Sequence, residues 1–307
     1  MQRRSIGELD VSVVGIGCNN FGTRLDEGGA RAVVGAALDE GITLFDTADV
    51  YGDGRSEEFL GRALGSRRSE VVIATKFGVP TGDGAGGASP DYVRRACEAS
   101  LRRLVTDHID LYQLHAPDGT VAIGDTLGAL AELRDAGKVL EVGCSNFSAA
   151  ELDEAQAAAG RGARFRSVQN QYSLLWRAPE DDGVLDACER LGVSFLPYYP
   201  LANGLLTGKV ARGGSPPPGT RLASMPTERS AHWLSEELLA RVESIRDVAA
   251  ARGVPMLSLA FSWLLAHDAV ASVIAGASTP EQVRANAAAP REIERVVLDE
   301  LDAASKS

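Results

Sequence analysis

The sequence predicts one α/β domain over residues 1–307, closed into a (β/α)8 TIM barrel with an N-terminal β-hairpin, a long loop after the seventh strand and extra C-terminal helices. Short apolar runs alternate with helix-period segments of about 10–15 residues, the pattern of parallel strands joined by crossover helices. Those runs are apolar throughout, as strands covered on both faces are. Successive runs also stop on a titratable residue, at Asp46, Lys76 and His115. Barrel active sites are built there, where strands end and the loops after them begin.

Taken in order, residues 5–9 alternate, Asp10 turns and 11–17 is β-rich, so 5–18 reads as a hairpin leading into a first strand. Ala30, Val33, Val34, Ala37 and Leu38 recur at helical spacing across 27–40, and Gly41 suits the C-cap. Strand and helix then alternate at 42–46 and 56–65, 71–76 and 90–104, 109–115 and 123–136, 139–144 and 148–159, and 167–172 and 181–191. A strand at 194–199 follows. Helices at 236–251 and 256–266 lead to a last strand at 270–274, which completes about eight units. Residues 291–301 read as an amphipathic tail helix. Two stretches break the rhythm: 81–90 is Gly-rich, and 202–235, centred on the Gly- and Pro-rich 213–219, has no regular period. So long a loop in a compact domain is usually functional, and closure over a bound ligand is the expected role.

With 307 residues, 45% of them hydrophobic, the chain has ample material for a large core. A net charge of -11 argues against nucleic acid or an anionic membrane as partner, since phosphate-rich surfaces select clustered Lys and Arg. Cys18, Cys97, Cys144 and Cys188 are scattered, without a C-x-x-C or a close His, so neither a disulfide framework nor a metal site is expected. The N-terminus has no apolar signal core and no apolar run approaches spanning length, so a cytoplasmic location is expected. Gly15-Ile16-Gly17 with Gly22 lacks the third glycine of a dinucleotide fingerprint and reads as a strand and turn.

The chemistry centres on Asp46, Tyr51, Lys76 and His115. Each alone has an ordinary explanation as a turn cap, strand end or structural hydrogen-bonder; together, at successive strand ends, they form a constellation. A tyrosine hydroxyl is a poor acid at its unperturbed pKa near 10. A neighbouring ammonium is expected to lower that value, and a buried carboxylate to keep the lysine charged and aimed. A histidine beside them can donate a hydrogen bond to a substrate oxygen. This set suits proton donation to a polarised carbonyl during hydride transfer.

The segments Asp46-Thr47-Ala48-Asp49-Val50-Tyr51-Gly52, Ala74-Thr75-Lys76, Gln113-Leu114-His115-Ala116-Pro117-Asp118, Gly143-Cys144-Ser145-Asn146-Phe147, Gln169-Asn170-Gln171-Tyr172 and Tyr198-Tyr199-Pro200-Leu201 resemble those of the aldo-keto reductase superfamily. The likeness runs in order from Leu9 to Asn286. It implies a barrel that binds NADP(H) without a Rossmann domain, with Tyr51 as general acid/base, Lys76 and Asp46 as its tuning pair and His115 as substrate orienter. It likewise implies that Ser145, Asn146 and Gln169 hold the nicotinamide carboxamide and that Tyr198 stacks on the ring. By the same resemblance, Pro200, Leu201, Gly204 and Lys209 match the loop that folds over the pyrophosphate. Gly276, Ser278, Gln282 and Asn286 lie at a helix N-terminus suited to the adenosine 2′-phosphate.

Many members carry a Lys and a later Arg where this chain has Gly276 and Gln282. Here it resembles the branch of bacterial general reductases and potassium-channel β subunits, so NADP(H) is expected and NAD(H) stays open. Tyr199 stands where serine is common. Asn20 and Trp176 are expected at the substrate pocket, Trp263 in the core, and Trp233 either at the pocket or as a local anchor. The expected function is interconversion of aldehydes or ketones with alcohols, with a small molecule as partner and no metal. The alternatives are an oxidative sugar or alcohol dehydrogenase on the same site, or a cofactor-sensing interaction subunit.

Overall fold

The computed structural model describes residues 1–82, 84–160, 162–210 and 214–306; residue 83 of the Gly-rich loop and 211–213 of the long loop lie outside them. Eight strands run parallel in the order β10-β3-β4-β5-β6-β7-β8-β9: β3 (Val14–Gly17), β4 (Leu44–Asp46), β5 (Val72–Phe77), β6 (Ile109–Leu114), β7 (Val139–Ser145), β8 (Ser167–Gln171), β9 (Ser194–Tyr198) and β10 (Val273–Gly276). The seam between β9 and β10 is closed by a single isolated bridge, Phe195 to Val270. The crossovers are α1 (Glu27–Asp39), α2 (Arg55–Leu64), α3 (Pro90–Leu104), α4 (Ile123–Asp135), α5 (Ala149–Ala158), α6 (Ala178–Asp181) with α7 (Val184–Leu191), and α8 (Thr227–Trp233) with α9 (Glu236–Arg252) and α10 (Met256–Leu265). After β10 come α11 (Pro280–Ala287) and α12 (Arg295–Lys306).

The N-terminal hairpin, β1 (Arg3–Ile6) and β2 (Leu9–Ser12), closes the end of the barrel where the strands begin. Its turn has Gly7 at φ +57, and a Cβ there would lie 2.2 Å from Glu141 Oε1, so only glycine fits on both counts. Ile6, Leu9 and Val11 enter an inner apolar cluster with Leu44, Val72, Ala74, Leu111, Leu196, Ala271 and Ile274. Arg4 ties the hairpin to the far end of the chain by donating to the carbonyls of Leu265 (2.7 Å), His267 (3.2 Å) and Val270. The larger core lies between strands and helices and includes Trp263. Among the described residues no single helix is long and apolar enough to cross a membrane.

Element boundaries moved for local reasons. The β-rich 11–17 is two strands, because the Ser12 hydroxyl turns back on Val14 O (2.6 Å) and the chain leaves the hairpin there. The final strand is 273–276 instead of 270–274, since Phe195 donates to Ala269 O and accepts from Ala271 N–H, bridging at Val270, and the ladder to β3 begins only at Val273. Gly183, at φ +73, separates α6 from α7 within the expected 181–191 helix. The tail helix starts late, because the Arg291 N–H bonds the Ser262 hydroxyl (3.0 Å). The long loop is not wholly irregular: it holds a 3-10 turn at Ala202–Thr207 and α8, whose Trp233 packs on the core. All four cysteines are buried and free.

Candidate active site

Side chains alternate along a strand, so residues two apart share a face. Inside this barrel that rule stacks apolar residues low and polar ones high: Leu44 then Asp46, Ala74 then Lys76, Leu111 then Gln113, Leu196 then Tyr198. The polar layer forms the open rim.

At its centre, Lys76 Nζ donates to Asp46 Oδ2 (2.6 Å) and to Thr47 O (2.9 Å), with Lys76 wholly buried. Asp46 Oδ1 in turn accepts from Gln169 Nε2 (2.8 Å) and Gln113 Nε2 (3.3 Å). The ion pair is therefore out of water but hydrogen-bonded at both carboxylate oxygens, the condition under which a buried pair is tolerated. Lys76 is also hydrogen-bonded to the Tyr51 hydroxyl, and its Nζ lies 5.2 Å from the Tyr51 ring centroid. Burial works against the ammonium, but Asp46 and Tyr51 outweigh it and hold Lys76 above its ordinary pKa.

Tyr51 departs from expectation. Burial pushes its hydroxyl above the ordinary value, and the opposing field of Lys76 does not overcome that. The phenol thus keeps its proton at neutral pH. His115 meets the Tyr51 ring edge-on, with centroids 5.8 Å apart. Burial and then Lys76 push its imidazole down to about 3, so it is neutral and offers a single N–H.

Around this centre, polar side chains knit neighbouring strand ends. Ser145 Oγ donates to Gln169 O (2.6 Å), and Asn146 Nδ2 donates to His115 O (3.0 Å). The Tyr198 hydroxyl donates to Asn146 Oδ1 (2.8 Å). Asn146 adopts φ +62, a conformation its side chain tolerates better than most. All twelve residues expected at the cofactor line one cavity of about 580 Å³. Asp46, Tyr51 and His115 line it too, while Lys76 lies behind the wall. Asn20 also lines it, beside the 276–278 turn: its Nδ2 donates to Ala277 O and Ser278 Oγ, each at 3.4 Å. Trp176 does not line it; it stands 39% exposed on the loop after β8. At the other arm, Ser278 N–H donates to Gln282 Oε1 (2.7 Å), and Asn286 is buried.

The long loop is fastened across the cavity by side chains. Arg24 donates to Gly219 O (2.8 Å), and Arg221 donates to Asn20 Oδ1 (3.3 Å) while stacking over the Tyr199 ring at 5.3 Å. Arg246 on α9 donates to Gly208 O (3.0 Å) and Val210 O (2.8 Å). Tyr199, Ala202 and Asn203 all have positive φ without being glycine, a strain that concentrates at functional sites. Sequence reasoning missed Gln113, Arg24 and Arg221. Gln113 was within reach, because it stands two residues before His115 and so shares its face; the two arginines lie in segments with no period to read. Among the described residues, no group of three or more His, Cys, Asp or Glu is placed to hold a metal.

The fold is a parallel eight-stranded α/β barrel with a polar-lined cavity at its open rim. Residues 13–306 match the aldo/keto reductase family, and the chain belongs to it. It is 36% identical over 294 residues to the uncharacterized oxidoreductase YqkF of Bacillus subtilis, covering 93% of this chain and 90% of that one. It is 32% identical over 295 residues to a probable voltage-gated potassium channel subunit beta of Oryza sativa subsp. japonica, with the same coverage. Two solved structures superpose with a TM-score of 0.83: the holo form of aldo-keto reductase AKR11C1 from Bacillus halodurans, 32% identical over 99% of this chain and 96% of that one, and the glycerol dehydrogenase AKR11B4 from Gluconobacter oxydans, 30% identical over 98% and 94%.

Proposed function

We propose that this protein interconverts aldehydes or ketones with alcohols, using NADP(H). The observation that carries the reading is the buried Asp46–Lys76–Tyr51 chain, which opens into the one cavity lined by Ser145, Asn146, Gln169 and Tyr198. The donor set fits a dinucleotide. Ser145, Asn146 and Gln169 offer the hydroxyl and amide groups that a carboxamide pairs with, and the Tyr198 ring stands beside them. Along the cavity, Lys209, Arg24 and Arg221 supply positive charge for phosphates. Bound there, the reduced nicotinamide supplies a hydride.

The chain's own residues then act on the substrate oxygen. Tyr51 Oη is the proton donor in reduction, and its raised pKa keeps the proton in place until a developing alkoxide draws it. Lys76 stabilises the phenolate left behind, and Asp46 keeps Lys76 charged. Neutral His115 donates its N–H to the same oxygen and so orients the carbonyl. The cavity arm at Ser278, Gln282 and Asn286 is where NADP(H) and NAD(H) are told apart; the Gln282 amide already occupies the Ser278 N–H, so a 2′-phosphate has to displace it. Similarity to a glycerol dehydrogenase favours a second reading, oxidation of a small polyol, on the same residues.

Titrating protein fluorescence with NADPH and then NADH, followed by turnover on carbonyl and polyol panels, tests the proposal. Tight NADPH binding with carbonyl turnover is the expected result. Binding of neither nucleotide overturns it, and cofactor-dependent capture of a protein partner without any turnover favours the sensing alternative.

A further inference from the structure

The turn between Asp46 and Tyr51 holds a second acid, Asp49, that the chemistry above leaves unused. Asp49 is 4% exposed, and its Oδ1 has no hydrogen-bond partner among the described residues. Its backbone N–H donates to Lys76 O (3.1 Å), and two residues on Tyr51 N–H donates to Ala48 O (3.1 Å), so Asp49 lies in the backbone link between Lys76 and Tyr51. On the other side of that link Thr75, next to Lys76, donates to Glu57 Oε1 (2.6 Å), and Arg103 Nε donates to Glu57 Oε2 (2.6 Å). Two buried acids thus back the Tyr51–Lys76 pair, and Arg103, the arginine that acts on Asp49, is committed to Glu57.

Charged and polar groups from several elements act on Asp49, beginning with the adjacent Val50 backbone N–H, which bonds its carboxylate and favours ionisation. Glu57 on α2 disfavours its ionisation; Arg103 on α3 and Lys76 on β5 favour it. Tyr112 on β6 presents a buried hydroxyl that also lacks a partner and senses both acids.

We propose that Asp49 is a positioning residue for the Tyr51–Lys76 pair, exchanging a proton behind the site so that its charge sets how strongly Lys76 and the Tyr51 phenol hold theirs. This rests on the oxidoreductase reading above. Burial, then Glu57, push Asp49 up to about 7. It therefore changes charge in a range where Tyr51 stays protonated and His115 stays neutral. Once ionised, Asp49 strengthens the hold of Lys76 on its proton and makes Tyr51 a weaker acid. Reduction slows as pH rises through neutrality.

The test is the pH dependence of kcat and KM for NADPH-dependent reduction of 4-nitrobenzaldehyde by the wild type, Asp49→Asn and Glu57→Gln, with NADPH affinity measured for each. In the wild type kcat is expected to step down several-fold around neutral pH. Asp49→Asn holds the acid-side kcat across the range with KM and NADPH affinity unchanged. Glu57→Gln, which removes the repelling charge, moves the step to lower pH. A flat wild-type profile, or a step that survives in Asp49→Asn, overturns the inference. Should Asp49→Asn fail to fold, Glu57→Gln decides: a step left at the wild-type pH overturns it. Turnover without an Asp49-dependent step breaks this inference alone, whereas no turnover of any carbonyl or alcohol breaks the parent reading and this one with it.

Discussion

Both ends of this barrel are covered, and the covers are made differently. At the closed end, β1 and β2 are a regular ladder with the register Arg3 to Ser12 through Ile6 to Leu9, and they bury Ile6, Leu9 and Val11 in the inner apolar cluster. At the open end, the described residues of 199–233 include left-handed non-glycine positions; Ala202, Leu205, Leu206, Val210 and Leu222 are anchored in the core, and arginines donating to backbone carbonyls tie the segment across the cavity. Apolar burial of the first kind is worth kilocalories and is not undone without unfolding. Where the open-end cover crosses the cavity, at Gly219 and Arg221, its ties are a few partly exposed hydrogen bonds at about 1 kcal/mol each, which can open and close in the native state. One cover is a plug and the other a lid.

That contrast breaks if substitutions at the two ends have interchangeable effects. Tyr51→Phe at the open end is expected to cut turnover by about 10²–10⁴-fold, while NADPH affinity and thermal stability stay near wild type. Steady-state kinetics beside a melting curve check it, and normal activity sinks the acid/base assignment. Ile6→Ala at the closed end is expected to do the reverse, costing about 2–5 kcal/mol of stability in urea unfolding with kcat per folded molecule unchanged.

His115 sharpens the comparison through pH. Its pKa is pushed down to about 3 in the folded protein, while the unfolded chain takes up the same proton near 6.5. The unfolded state therefore binds more protons between those values, and stability falls as pH drops through that window. His115→Asn is expected to remove this loss, sparing about 2 kcal/mol near pH 4.5 relative to the wild type when both are referenced to pH 7. Equal acid sensitivity of the two proteins counts against a buried neutral imidazole. The smallest effect belongs to the lid: Arg24→Ala is expected to speed NADPH release by about tenfold, or about 1.4 kcal/mol, with the ligand-free melting temperature unchanged. Stopped-flow fluorescence reads it, and an unaltered release rate means that Arg24 does not latch the loop.

The same division explains what could be read from the sequence. Asp46, Lys76 and His115 were visible because each stands at or beside the end of an apolar strand, and strand ends are set by period and burial. Gln113 shares the His115 face by strand alternation, the signal that could have found it. The lid was legible only as a break in rhythm, because Arg24, Arg221 and Arg246 act through contacts between segments far apart in the chain. Tyr51 does lie beside Lys76, but its pKa moves opposite to the expectation: a sequence shows the neighbouring lysine and hides the burial that outweighs it.

The seam between β9 and β10 carries one more consequence. β9 touches the segment leading into β10 through Phe195 and Val270, but the bridge stops there, and above it the two strands lead to residues 198–201 and to Gly276 and Ser278, which line the cavity. In a cooper's terms this cask has one sprung stave, and the cavity across the barrel mouth takes lining residues from both sides of that gap. A molecule wedged there would brace the wall as well as occupy it, so the loaded protein should resist heat and proteolysis as a hooped vessel and the empty one should work loose first along that joint.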